Sequence, residues 1–178
     1  MSLRIGQLAP EFDVVASNGQ NVRLADYRGK KNVVLFFYPA DFTLVCTREA
    51  CGFRELYPEL VSRDTEVIGI STDSNESHER FARENRIPFP LVADEDRALA
   101  DAYDARSVLL SLFGRVRRLT YVISKHGEIA GIFEGELNAS AHVDGVRAVV
   151  ARLEPEAREA AHGADEAAVA SAGAHPNG

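Results

Sequence analysis

From Asn32 to Tyr38 the chain reads NVVLFFY, an unbroken apolar and β-favouring run that Pro39 closes. A run of this kind predicts a central strand covered on both faces, since a half-exposed strand would alternate, and a proline ends it because it cannot donate to a ladder. From Thr43 to about Ser62 the apolar residues Leu44, Val45, Phe53, Leu56, Leu60 and Val61 fall close to helical spacing, with Glu and Arg between them. A strand therefore feeds a helix through a short loop. The alternation repeats: a strand over Glu66–Ser71, a helix over Glu76–Asn85, a short strand over Phe89–Ala93 and a helix over Arg97–Tyr103. Strand and helix in turn favour an α/β sheet with helices on its faces. Ahead of this core, Phe12–Ala16, a turn at Asn18-Gly19 and an extended piece around Val22 predict an N-terminal hairpin, a lid rather than core. Leu119–Ser124 and Glu128–Phe133, joined by Lys125-His126-Gly127, predict an antiparallel hairpin on the same sheet, followed by a helix over about Ala141–Leu153.

By similarity of pattern, the order of elements resembles a thioredoxin-like three-layer α/β/α sandwich with a central mixed sheet and an N-terminal β-hairpin. The 178 residues, 46% of them apolar, suffice for one ordinary core, so one domain is expected over residues 1–155. Beyond it, the Ala, Glu and Gly of residues 156–178 bury too little to order themselves and predict a disordered tail. A formal charge of -7 repels phosphate backbones and anionic membrane surfaces, which argues against nucleic acid and lipid partners. No stretch approaches the ~20 apolar residues that span a bilayer, and the first residues lack a secretory core. The expectation is a cytoplasmic protein. Two cysteines are too few for a disulfide scaffold, and in a reducing compartment a bridge between them is transient and catalytic rather than structural.

Cys46 lies just inside the expected start of the helix, directly after the loop Pro39-Ala40-Asp41-Phe42 that leaves a buried strand. There the first-turn amides are unpaired and the helix dipole favours an anion, so a thiolate is stabilised and the thiol becomes a nucleophile. Thr43, three residues earlier, is placed as a cap or first-turn residue with its hydroxyl on the face of the sulfur, where it could bond the thiolate or an attacked oxygen.

Pro39-x-x-x-Thr43-x-x-Cys46 resembles the active-site signature of the peroxiredoxins, and DFTLVCTREACGFRELYPEL is similar to their bacterioferritin-comigratory, or Q-type, subgroup. The likeness runs over about residues 3–153 and takes in APEF, GISTDS, FPLVAD and Arg118-Leu-Thr-Tyr-Val-Ile-Ser. It implies that Cys46 attacks the terminal oxygen of a hydroperoxide and becomes a sulfenic acid. It implies too that Thr43 and the backbone near Cys46 hold the peroxide oxygens, that Pro39 shields the sulfur from water, and that Arg118 stabilises the negative charge. Glu49 matches a position that orients that arginine. Arg117 and Arg118 point to opposite faces by strand alternation; the spacing to Thr120-Tyr121-Val122-Ile123 favours Arg118, with Arg117 as the alternative.

The resemblance further implies an intramolecular Cys46–Cys51 bridge, reopened by thioredoxin or a similar dithiol, with no cofactor or metal and with a monomer or weak homodimer as the assembly. On an unbroken helix a five-residue step rises ~7.5 Å and turns ~140°, whereas a disulfide needs Cα atoms within ~7 Å. Oxidation must therefore unwind part of the helix, and the Cys51-Gly52 region is the expected melting point because Gly is a poor helix former. Two other functions use the same thiol: a disulfide reductase of thioredoxin type, disfavoured because its cysteines are separated by two residues, and a redox-sensing or chaperone-like binding module. His78, His126, His142, His162 and His175 are assigned to polar or tail segments without ligand spacing to the cysteines, which argues against zinc. Phe42, Phe53 and Tyr57 are expected as core or pocket walls.

Overall fold

The computed structural model describes residues 2–106 and 115–153; the tail expected over 156–178 lies outside them. Among the described residues, β3 (Asn32–Phe37), β4 (Thr65–Ser71), β5 (Leu91–Ala93), β6 (Leu119–Ile123) and β7 (Ile129–Glu134) form one sheet in the order β5-β4-β3-β6-β7. β3, β4 and β5 run parallel, while β6 and β7 are antiparallel to their neighbours, so the sheet is mixed. All six residues of β3 are buried, as a strand in the middle of a covered sheet requires. β1 (Asp13–Val15) and β2 (Asn21–Arg23) make the separate N-terminal hairpin.

Helices cover both faces. α2 (Leu44–Ser62), Phe81 of α3 (Asn75–Asn85) and the last helix, α5 (139–153), pack on the face that carries Val34, Phe36 and Tyr38. The face carrying Val33, Leu35 and Phe37 is covered by the hairpin, by the four-residue α1 (Leu24–Tyr27) and by α4 (Ala98–Ala102). The hairpin is thus not a lid outside the core. Val22, Phe12 and Ala16 are buried in it, because β3 is apolar on both faces and the second face needs a covering layer.

Strand parity also settles which arginine reaches which side. Thr120 pairs with Phe36, and Val122 with Val34, both on the α2 face. Arg118, two residues before Thr120, shares that face by the period of two. Arg117 goes to the other side, where its guanidinium donates to the Asp104 carbonyl at 2.7 Å and lies near Asp104 and Glu134.

Candidate active site

Pro39, half-buried, turns the chain out of β3, and the loop to Phe42 delivers it to α2. Thr43 is the extended residue before the helix, and the first helical hydrogen bond runs from the Thr47 amide to the Thr43 carbonyl, 2.9 Å. The amides of Leu44, Val45 and Cys46 therefore precede the ladder and give this helix mouth a partial positive charge. Cys46 sits at that mouth with 1% of its surface exposed, packed against the sheet in the α2-side core. The Thr43 side chain does not cap the helix; its hydroxyl donates to the Ala40 carbonyl at 3.2 Å. The capping role expected of Thr43 is therefore not what its hydroxyl does, since from its extended backbone it bonds back into the loop.

The Arg118 guanidinium stands against the sulfur. Its Nη2 donates to Cys46 Sγ at 3.1 Å, its Nη1 pairs with Glu49 Oε2, and its Nε donates to the Glu136 carbonyl at 3.0 Å. Arg118 and Glu49 are both buried, so neither charge is screened by water. Burial acts against the Arg118 charge, but Glu49 and Cys46 raise its pKa above the ordinary value. For Glu49, burial outweighs Arg118, and its carboxyl is pushed up to about 7.

Behind Glu49 stands His142 of α5, also buried, with Nδ1 2.8 Å from Thr120 Oγ1 and 3.4 Å from Glu49 Oε1. Burial, and then the nearby Arg118 charge, hold its pKa below the ordinary value. On the loop side, His78 of α3 is buried against Asp41, with Nδ1 2.9 Å from Oδ2. Both histidines correct the assignment to polar segments. His78 stands among polar letters, whereas His142 lies four residues before Val146 on a more apolar helix, and helix packing shows that both face inward. The sequence does carry a signal for His78: it lies three residues before Phe81 on one helical face.

Cys51 lies further along α2, half-buried, and both thiols are free. α2 is continuous from Leu44 to Ser62 even with Pro58 inside it. Gly52 beside Cys51 has a packing role: a Cβ there would stand 2.9 Å from Val143 Cγ2, so its bare backbone lets α5 come close. Of the aromatic residues, Phe53 is fully buried, Tyr57 is half-buried and donates to Glu66 at 2.8 Å, and Phe42 is 40% exposed on the loop. Among the described residues, no group of three or more His, Cys, Asp or Glu is arranged to hold a metal, and no helix is long and apolar enough to cross a membrane. A buried sulfur facing a guanidinium and a helix mouth can attack an electrophile that becomes an anion on leaving.

The AhpC/TSA family profile matches residues 5–132. Peroxiredoxin Bcp of Bacillus subtilis (strain 168) is 39% identical over 133 residues, which are 72% of this chain and 83% of that protein. The crystal structure of peroxidoxin BcpB from Mycobacterium tuberculosis superposes with a TM-score of 0.77 at 31% identity, over 85% of this chain and 98% of that one. The bacterioferritin comigratory protein of Xanthomonas campestris, whose trapped intermediate and ligand complexes bear on its alkyl peroxide reduction activity, gives 0.68 at 28% identity over 82% and 92%.

Proposed function

This chain belongs to the AhpC/TSA family of peroxiredoxins and is a thiol-dependent peroxidase, and from that premise we propose that Cys46 is its peroxidatic residue and Cys51 its resolving one. Family membership implies a hydroperoxide substrate and a thioredoxin-type reductant. The observation that carries the residue assignment is the 3.1 Å contact between Arg118 Nη2 and the Cys46 sulfur at the mouth of α2.

The Cys46 thiolate attacks the terminal oxygen of ROOH, an S–O bond forms, the O–O bond breaks, and RO⁻ leaves to take up a proton as ROH. Arg118 and the open amides of α2 stabilise negative charge both on the attacking sulfur and on the departing oxygen. Thr43 and the backbone near Cys46 hold the peroxide oxygens, Pro39 shields the sulfur from water, and Glu49 holds the guanidinium in place. The sulfenic acid then condenses with the Cys51 thiol, releasing one water and forming the disulfide. A dithiol reduces that bridge, so one turnover converts ROOH and a dithiol into ROH, water and a new disulfide. Both hydrogen peroxide and organic hydroperoxides are substrates in this reading. We place the enzyme in the cytoplasm, as a monomer or weak dimer.

Because α2 is continuous through both cysteines, the second step needs the helix to open near Cys51, since five helical residues keep their Cα atoms beyond the ~7 Å that a disulfide spans. The test is stopped-flow addition of hydrogen peroxide to the reduced protein, followed by mass mapping of the product. A Cys46–Cys51 bridge is expected, with peroxide consumption abolished in Cys46→Ser. Full activity in that variant would overturn the assignment.

A further inference from the structure

Asp41 is tied down from three elements. Tyr38, just past β3, donates its hydroxyl to Oδ1 at 2.7 Å. Asp73, just past β4, accepts from the Asp41 amide at 2.8 Å. From α3, the Ser77 hydroxyl donates to Oδ2 at 2.7 Å and His78 Nδ1 lies 2.9 Å from the same oxygen. On the other edge of the His78 ring, Nε2 faces the Val92 carbonyl at 3.2 Å and Ser71 Oγ at 3.5 Å. Ser71 gives its own proton to Asp73 Oδ2 at 2.7 Å, so toward His78 it can only accept. His78 thus bridges the active-site loop to β5 with both ring edges toward acceptors. Although burial acts to raise the Asp41 pKa, the hydrogen bond and charge of His78, with Ser77 and Tyr38, lower it below the ordinary value.

The residue that follows is held against its own preference. Phe42 has φ +61°, a region a bulky side chain rarely adopts. Its ring packs edge-on against Phe81 with centroids 5.3 Å apart, and the Arg80 guanidinium lies 4.5 Å from its centre. Strain of this kind persists only where the surroundings over-determine it. Both the anchor and the strained residue therefore lean on one face of α3, immediately ahead of Cys46. That short stretch must be firm while the sulfur faces peroxide, and must give way when Cys46 leaves its pocket for Cys51.

We propose that His78 is a positioning residue which, through Asp41, latches the loop 39–43 in its closed form and so decides whether the Cys46 sulfenic acid is resolved or overoxidised. The inference rests on the assignment of Cys46 and Cys51. With the latch closed, Cys46 stays in the peroxide pocket, where a second ROOH can carry the sulfenic acid to the sulfinic acid with release of ROH. With it open, α2 is freed to unwind from its first turns toward Cys51, and the sulfenic acid then reaches the Cys51 thiol and loses water. The latch and the pocket pull in the same direction, so weakening the latch shifts the population toward resolution.

The experiment turns the full chain over with hydrogen peroxide and dithiothreitol and counts, by mass spectrometry, Cys46 sulfinic acid formed per turnover. Stopped flow on the reduced protein gives the rate of the disulfide step. His78→Leu is expected to lower the sulfinic fraction and speed the disulfide step by about fivefold, the equivalent of ~1 kcal/mol. His78→Asn, which keeps a donor toward Asp41, should fall between that variant and the parent. Ser77→Ala, a milder loss at a half-buried site, should move in the same direction and decides the matter if His78→Leu does not fold. A lower melting temperature with an unchanged partition in these variants would overturn the latch while leaving the cysteine assignment intact. No modification of Cys46 even in the parent protein would overturn both.

Discussion

The two sides of the Cys46 pocket are built on opposite terms. One wall, formed by Arg118 and Thr120 of the β6 side, Glu49 of α2 and His142 of α5, consists of charged and polar groups buried away from water, the first two of them set by strand register. The other, the loop Pro39–Thr43, is a strained turn whose Asp41 carboxylate is held by Ser77 and His78 of α3 and whose Asp41 amide donates to Asp73. A fixed charge suits the first chemical step, because an electrostatic environment that need not reorganise is worth most when charge develops. In the mechanism proposed above a loop that can release suits the second step, because Cys51 is out of reach until the helix that the loop leads into opens. Under this proposal one sulfur is thus served by a wall that should not move and a rim that must.

The sharpest test of this division is Arg118→Met. It should slow the reaction of reduced protein with hydrogen peroxide by about 10²–10³-fold, as loss of one oxyanion donor does, while leaving the subsequent disulfide step nearly unchanged. Equal slowing of both steps would show that the wall and the rim are not separable. Next in size is Glu49→Gln. Burial holds the Glu49 pKa at about 7, above its ordinary 4.5, so the folded state binds a proton that the unfolded chain has released. The stability this group contributes is complete below pH ~4.5 and is lost as pH rises through ~7. Denaturant melts of the parent protein should fall by about 2–3 kcal/mol more between pH 5 and pH 8 than those of the variant. Parallel curves for the two proteins would remove Glu49 as a proton-linked member of the wall.

On the rim, Tyr38→Phe deletes one hydrogen bond to Asp41. It should destabilise the protein by about 1 kcal/mol and shift peroxide partition toward the disulfide, whereas a partition shifted toward sulfinic acid would reverse the sense of the latch. Arg80→Ala is the smallest perturbation. It takes the cation from the Phe42 ring, an exposed contact worth about 0.5 kcal/mol, and should move the same partition by no more than about twofold. A larger effect would place the clamp at Phe42 rather than at His78.

Much of the fold is legible in the order of residues alone. β3 reads as an apolar run ended by Pro39, and α2 as a helical spacing that begins with Thr43, because burial on both faces of a strand and on one face of a helix writes those periods directly. The position of Cys46 at a helix mouth follows from the same boundary. The N-terminal hairpin reads as a hairpin but not as a core layer, since three-residue strands carry no sign of what they cover. Gly52 reads as a weak point of the helix, and is also where α5 approaches through Val143, a contact with no trace in local sequence. His78 stays hidden because it lies on a helix rich in polar residues, and His142 because one inward-facing polar residue does not change the hydrophobic pattern of its helix.

What the chain determined by itself was the order of strands and helices, the thiol at a helix start, and the distance along one helix that separates the two cysteines, since these depend on local periodicity and on backbone geometry. Tertiary structure decided which arginine meets the sulfur, which histidines stand behind each side of the pocket, and what pins the loop. Those outcomes depend on strand register and on contacts between residues tens of positions apart, such as Arg118 with Cys46 and His78 with Asp41.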